Sequence, residues 1–449
     1  MTETQERSKY SRKQRKISGH YSYATSRFRG FLKKILERVP ILGPLMIGLW
    51  QRFNSFVRNI IYFVKKMAFR FNHRKSPLTM DEIHATYYLS PKEIIYSSLV
   101  EYSFENGKGL ILNGDWDKLE KRFEDLDVYV AFEEVILGKK KWKDTVFYQR
   151  IVDRIEKGEV IWGCAKKSDF DERCENLNNL IISIMNHGYK SQVELDTNDL
   201  NHEVTINIGR SGDLLFSNGA HRLSIAKILG IEKIPVRIAV RHSDWVLFRK
   251  QYEKLSLGRD LKAYQPSIHP DLQHVPTHHD CVDRYVIIKE HLTEKKGRLL
   301  DIGANLGYFC FMFEEEGFEC VAVENSPNYV FLLNGLKKAT SKKFRIISES
   351  VLDSKDVLDK PYDVVLALNI FHHFLKSGDT FEKLGLFLAN LSCKEMYFEP
   401  HLFADPQMEN AFINMHEQEF AKYVQTKLRH NYCELIGKAS DDRPIYKIW

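Results

Sequence analysis

The chain has 449 residues, of which 43% are hydrophobic and 28% charged, the balance of a globular protein with enough apolar matter for two or three domains. Seven cysteines, at 164, 174, 281, 310, 320, 393 and 433, form no C-x-x-C pair, so neither a disulfide framework nor a cysteine zinc site is expected and a reducing, intracellular setting follows. The net charge of +6 conceals an asymmetry, with 18 Lys/Arg against 3 Asp/Glu in residues 1–75 and 48 against 57 in the remainder, which counts against a nucleic-acid-binding groove in the main body.

Residues 1–26 are polar and basic without apolar periodicity and read as a disordered tail. From Phe31 the pattern changes: Leu32, Ile35, Leu36 and Val39 share one helical face, and Pro40, Gly43 and Pro44 interrupt it. A second helical stripe runs through Trp50, Phe53, Val57, Ile60, Val64 and Met67, with Arg and Lys on much of the other side. The longest uncharged run, Val39 to Trp50, is too short to span a bilayer, and no cleavable leader pattern is present. A basic, aromatic-faced arm over residues 29–71 fits an anionic membrane surface and equally fits packing against protein. The expected location is cytoplasmic, peripheral on the inner face of the membrane in the first case.

Residues 76–150 read as a mixed α/β region without a motif. Asn113-Gly-Asp-Trp-Asp117 reads as a turn, and Trp116, Trp142 and Tyr148 are expected as core anchors. Residues 151–250 carry more signal. Asp171 to Met185 has helical periodicity, ended by Gly188. Val204 to Ile208 alternates as a strand, Gly209 to Gly212 turns, and Leu214 to Phe216 returns. Ser217-Asn-Gly-Ala-His-Arg222 then leads into a helix ended by Gly230, and Ile234-Pro-Val-Arg-Ile-Ala-Val240 is a further strand.

This strand–turn–strand, N-G-x-H-R, helix and I-P-V-R arrangement resembles the ParB/sulfiredoxin-like fold. The resemblance implies nucleotide or phosphate binding at the turn, on Asn218, Gly219, His221 and Arg222. An Arg at a glycine turn and helix start suits an anion; the alternative is that His221 and Arg222 only hold the turn. Ala220 stands where sulfiredoxin has its reactive cysteine, so that reductase chemistry is not expected. Residues 251–295 form a connector punctuated by Pro266, Pro270 and Pro276. Its His269, His274, His278 and His279 are expected at the mouth of a ligand cleft, and no metal is expected. Asp283 to His291 reads as a helix, with Arg284 and Tyr285 facing the ligand.

From 296 to 449, strand and helix patterns alternate, with strands expected at 298–303, 320–324, 344–350, 363–369, 395–399, 432–438 and 444–449. The organising stretch is Arg298-Leu-Leu-Asp-Ile-Gly-Ala-Asn-Leu-Gly-Tyr-Phe309. An apolar run turns through Gly303 and Gly307 into a helix, leaving free N–H groups at a strand's carboxyl end. The G-x-x-x-G spacing is not the dinucleotide G-x-G-x-x-G, and Glu324 ends the next apolar run, placed for ribose hydroxyls.

Asp301-x-Gly-x-x-x-Gly307 followed by Glu324 resembles motifs I and II of the class I S-adenosylmethionine-dependent methyltransferases. That resemblance implies an α/β fold with a seven-stranded Rossmann-like sheet and S-adenosylmethionine as cofactor. Asp301, Gly303, Asn305 and Gly307 would surround its methionine part and Glu324 its ribose, with Asn325 and Ser350 near adenine and Asn369 beside the transferred methyl. His372 and His373 are the candidate general bases, with packing under the cofactor as the other reading, and Glu399 and His401 are next to touch the acceptor.

The expected domains are therefore a basic arm (1–75), a mixed region (76–150), a ParB/sulfiredoxin-like domain (151–250), a connector (251–295) and a methyltransferase domain (296–449). The function expected is methyl transfer to a glycan, lipid-linked or small-molecule acceptor near a membrane. Two alternatives stay open: a bifunctional protein with nucleotide chemistry in its middle domain, and a non-catalytic cofactor-binding scaffold.

Overall fold

In a computed structural model, residues 78–102, 104–195, 203–257 and 261–449 are described; the basic arm of residues 1–75 lies outside them. The described chain divides into two compact units. The first holds residues up to Leu110 with Leu119–Asn207 and Phe216–Val240, and the second holds Ile111–Lys118, Ile208–Leu215 and Arg241–Trp449. Among the described residues no helix is long and apolar enough to cross a membrane.

The first unit holds most of a six-stranded sheet of β1 (Tyr87–Leu89), β2 (Tyr96–Ser97), β3 (Leu110–Leu112), β4 (Val204–Ile208), β5 (Leu214–Asn218) and β6 (Ile234–His242). Its order is β1-β6-β4-β5-β2, with β3 also on β6. Strand β4 alternates apolar and polar in sequence, yet every residue of it is buried. The polar side is covered, and its groups are satisfied internally: Asn207 Nδ2 donates to Ser98 Oγ and to the Val100 carbonyl, both at 3.1 Å, while its Oδ1 accepts the Val240 N–H at 3.2 Å. Three helices, Asp127–Ile136, Val146–Glu156 and Lys167–His187, bury Phe132, Phe147, Ile151, Phe170 and Ile181 in one apolar cluster. Thr145 starts the second of them by accepting the Tyr148 N–H at 3.2 Å, an ordinary N-cap. Gly188, at φ 75°, ends the third.

The second unit carries a sheet of β7 (Gly297–Ile302), β8 (Phe318–Val323), β9 (Arg345–Ile347), β10 (Tyr362–Leu368), β11 (Cys393–Glu399), β12 (Cys433–Lys438) and β13 (Pro444–Ile448), ordered β12-β13-β11-β10-β7-β8-β9. Strands β7 to β11 run parallel to one another, and β13 is antiparallel to both β11 and β12. Parallel central strands need apolar side chains on both faces, and β7, β8, β10 and β11 supply them, as in Leu299, Leu300, Val321, Val364, Val365 and Met396. The expected strand 344–350 closes early at Ile347. Ser350 accounts for this: its carbonyl accepts the N–H groups of Asp353 and Ser354 at 3.0 and 3.1 Å, turning the chain away from the sheet. The chain leaves β7 towards β8 and β9, then returns to place β10 on the other side of β7. That reversal makes the carboxyl ends of β7 and β10 a topological switch point, where open α/β sheets bind ligands.

Candidate active site

Asp301 is the penultimate residue of β7, and after Ile302 the chain turns sharply. The N–H groups of Gly303 and Ala304 both donate to the Val323 carbonyl at 2.9 Å, which ties the turn to the end of β8. Gly303 has φ 75°, and a Cβ there would lie 2.7 Å from Ile370 Cδ1, so only glycine fits. Gly307, at φ 84°, caps the helix Tyr308–Glu315, but an added Cβ would strike Leu333 of the helix Pro327–Ala339. It does not line the cleft; its work is close helix packing, a correction to the expectation that it surrounds the cofactor.

Glu324 is buried and binds the turn from the other side. One carboxylate oxygen accepts the Asn305 N–H and the other the Ser326 N–H, both at 2.8 Å. Each oxygen retains a lone pair, as ribose hydroxyls require. Asp301, Gly303, Asn305, Glu324, Asn325, Ser350, Asn369, His372 and His373 all line a single cleft of about 520 Å³, a size typical of small-ligand sites.

Asn369 follows β10 in the left-handed region, φ 51°. Its N–H donates to the Glu399 carbonyl at 2.8 Å and its Nδ2 to the Tyr264 hydroxyl at 3.0 Å. Tyr264 and Gln265 also line the cleft, and no local pattern in the sequence marks them. They reach it because the connector pairs Ala263 with Thr277. Gln265 Oε1 then accepts the Tyr308 N–H at 3.3 Å, at the start of the cofactor helix.

The electrostatics suit a cationic, donor-rich ligand. Burial pushes the Asp301 carboxyl up to about 7, and Glu324 adds to this, while a bond from Cys310 opposes it. Asn305 Oδ1 and Asn369 Oδ1 are buried without a hydrogen-bond partner. The set is one of acceptors: two carboxylates and two amide oxygens. It fits the ammonium, sulfonium and ribose hydroxyls of S-adenosylmethionine.

The two histidines differ. His372 is 3% exposed, with both ring nitrogens unpartnered; burial, then His373 and His401, hold it down to about 3. His373 keeps an exposed face and lines the cleft, and partial burial of its ring, then Lys376, lowers its value. His401 is buried, with Nε2 at 2.8 Å from Asn414 Oδ1.

Several expected residues are committed elsewhere. Arg284 forms a buried fork on Glu399, Nε to Oε2 at 2.6 Å, and also bonds Asp441 at 2.9 Å; neither Arg284 nor Glu399 lines the cleft. Tyr285 donates to Glu316 Oε1 at 2.7 Å, away from it. Of the connector histidines, His269 is buried with Nε2 at 2.9 Å from the Gly212 carbonyl, and His274 meets Glu253. His279 packs edge-on to Tyr264 at 4.9 Å between ring centres, and so supports the cleft from behind.

In the first unit, Asn218 and Gly219 do form the turn, with Gly219 at φ 92° before the helix Ala220–Ile228. Arg222 is buried, however, pairing with Glu203 at 3.4 Å and the Lys190 carbonyl at 2.5 Å, over the Tyr189 ring. His221 stacks on Phe132 at 5.4 Å and stands edge-on to Phe147 and Trp162. Both side chains serve the core, which corrects the expectation that they face a phosphate.

A family model described as a methyltransferase domain matches residues 282–395. A search of curated proteins finds no match. Among solved structures, similarity is found to WbdD, a bifunctional kinase-methyltransferase (16% identity, TM-score 0.35, 42% of this chain and 44% of that one). It is also found to magnesium protoporphyrin IX methyltransferase of Synechocystis PCC 6803, solved with bound S-adenosylmethionine (11%, 0.28, 38% and 76%), and to the PH0226 protein of Pyrococcus horikoshii OT3 (14%, 0.29, 37% and 88%). The chain thus spans less than half the length of WbdD. The acid–glycine turn and most of the acceptor-lined cleft at the switch point fall within the matched residues 282–395, and the C-terminal part of the chain carries a methyltransferase domain whose cleft has the acceptor groups that S-adenosylmethionine requires.

Proposed function

We propose that the protein transfers a methyl group to a hydroxyl-bearing acceptor, of glycan, lipid-linked or small-molecule type, held beside Asn369 in this cleft. The observation that carries the reading is the contiguity of two sets of groups. The Asp301 and Glu324 carboxylates and the Asn305 amide oxygen, suited to the cofactor, share one cavity with Asn369, Tyr264 and His373. When bound, the cofactor supplies an activated methyl on a sulfonium. Asp301 and Glu324 bind its cationic and hydroxyl groups, and the tied Gly303 turn keeps that geometry fixed. The remaining work is alignment and exclusion of water.

An acceptor hydroxyl must lose a proton as the new bond forms. His373 is placed to take it at an imidazole nitrogen, being neutral near pH 7 and open to the cleft. His372 is a weaker base, since a group that holds a proton only below about pH 3 accepts one poorly; it serves as a neutral hydrogen-bonding wall. The basic arm of residues 29–71, with its aromatic stripe, supports a membrane-side acceptor, because such a helix would hold the enzyme at an anionic surface. Nucleotide chemistry at the Asn218–Arg222 turn draws no support from side chains engaged in the core.

The test is to incubate the full chain with methyl-labelled cofactor and pools of neutral glycans, polyprenyl-linked sugars and small alcohols. Label transfer that His373→Ala reduces at least about tenfold is the expected result. Cofactor binding with transfer to none of the pools would favour the scaffold reading.

A further inference from the structure

The acid at the heart of the cofactor site has one side-chain hydrogen-bond donor among the described residues, and it is a thiol. Cys310, two residues into the helix Tyr308–Glu315, donates through Sγ to Asp301 Oδ2 at 3.7 Å, an ordinary length for a sulfur donor. Cys310 is fully buried and Asp301 is 3% exposed, so no solvent competes strongly for the contact. The neighbouring Cys320, on β8, gives its own thiol proton to the Phe318 carbonyl at 3.8 Å, and its sulfur also faces the Cys310 thiol. The other charged group facing Asp301 is Glu324, at the end of β8, which repels a second negative charge.

We propose that Cys310 is a positioning residue for the cofactor site: its thiol donates the one side-chain hydrogen bond that orients the Asp301 carboxylate and favours its charged form for receiving the cofactor. The inference rests on the reading of Asp301 as a cofactor-binding acid. Burial and Glu324 both work against that charge, and the thiol bond works for it. A protonated Asp301 offers the cationic cofactor no countercharge, so cofactor affinity rises with pH as the acid ionises. Removing the donor moves that rise to higher pH, and restoring a donor moves it back.

The experiment is calorimetric titration of the full chain with S-adenosylmethionine from about pH 6 to about pH 8.5, for the wild type, Cys310→Ala and Cys310→Ser. The alanine variant is expected to bind about threefold more weakly than wild type at about pH 6 and to converge with it at about pH 8.5. The serine variant, which keeps a donor, follows the wild-type profile or lies below it in pH. A loss in Cys310→Ala of the same size at every pH, in a protein with native circular dichroism, would show packing alone and overturn the proposal, as would superimposable profiles. A wild type that binds no cofactor at any pH would instead strike at the assignment of the site itself.

Discussion

Gly303 and Tyr264 show how differently single residues of this site are specified. The glycine is demanded by its backbone: φ 75° is costly for any L side chain, and Ile370 fills the space a Cβ would take. Gly303→Ala is expected to lose about 1–2 kcal/mol of stability and to weaken cofactor binding, read by thermal unfolding and titration. An alanine variant with unchanged binding would show the turn to be more pliable than its geometry indicates. Such a residue is legible in sequence, because the conformational rule is local. Tyr264 is not, since its importance arises only when the Ala263–Thr277 pairing brings its hydroxyl to Asn369 Nδ2. Tyr264→Phe strands that amide in the cleft, and turnover should fall about tenfold with cofactor affinity nearly unchanged. An equal loss in both would mean that Tyr264 serves the cofactor and not the acceptor.

At the scale of elements, the connector is a structural part of the second unit and not a linker. Asp271 is fully buried; it accepts the Arg241 fork, from Nε at 2.9 and 3.0 Å and Nη2 at 2.5 Å, together with Trp245 Nε1 at 2.9 Å. Burial raises this carboxyl, but Arg241 and Arg249 outweigh it and hold it well below the usual range. Its contribution is present above the unfolded carboxylate value and is lost only in strong acid. Asp271→Asn at neutral pH leaves a buried charge uncompensated and should cost about 3–5 kcal/mol in denaturant unfolding. His269 beside it behaves differently. Burial lowers it to about 4, so its share of stability is complete above about pH 6.5 and falls by about 1.4 kcal/mol per pH unit on acidification towards pH 4. Stability of a His269→Asn variant should lack that slope over the same window, and an unchanged slope would place the titration elsewhere.

The same scale explains what the sequence left hidden. Strands β7, β8 and β10 are legible because two-sided burial writes continuous apolar runs. Arg284 is not legible, because a charged residue on a helix reads the same whether it faces a ligand or a buried Glu399. His221 and Arg222 follow the same logic: the N-G-x-H-R spacing shows the turn, but not that Glu203 and the Phe132 ring claim the side chains.

For the molecule as a whole, the charge asymmetry makes the last of the structural expectations testable. The basic first 75 residues and the acidic remainder predict that the full chain sediments with vesicles containing anionic lipid and is released as salt rises past about 0.5 M. Equal binding to neutral vesicles would contradict an electrostatic attachment. The central claim, however, is the cofactor site formed where β7 and β10 diverge. Its most direct test is calorimetric titration of the full chain with S-adenosylmethionine, beside Asp301→Ala and Glu324→Ala. Saturable binding at one site per chain, weakened at least about tenfold in each variant, is the predicted result; a folded chain that binds no cofactor, or variants that bind as the wild type does, would contradict it.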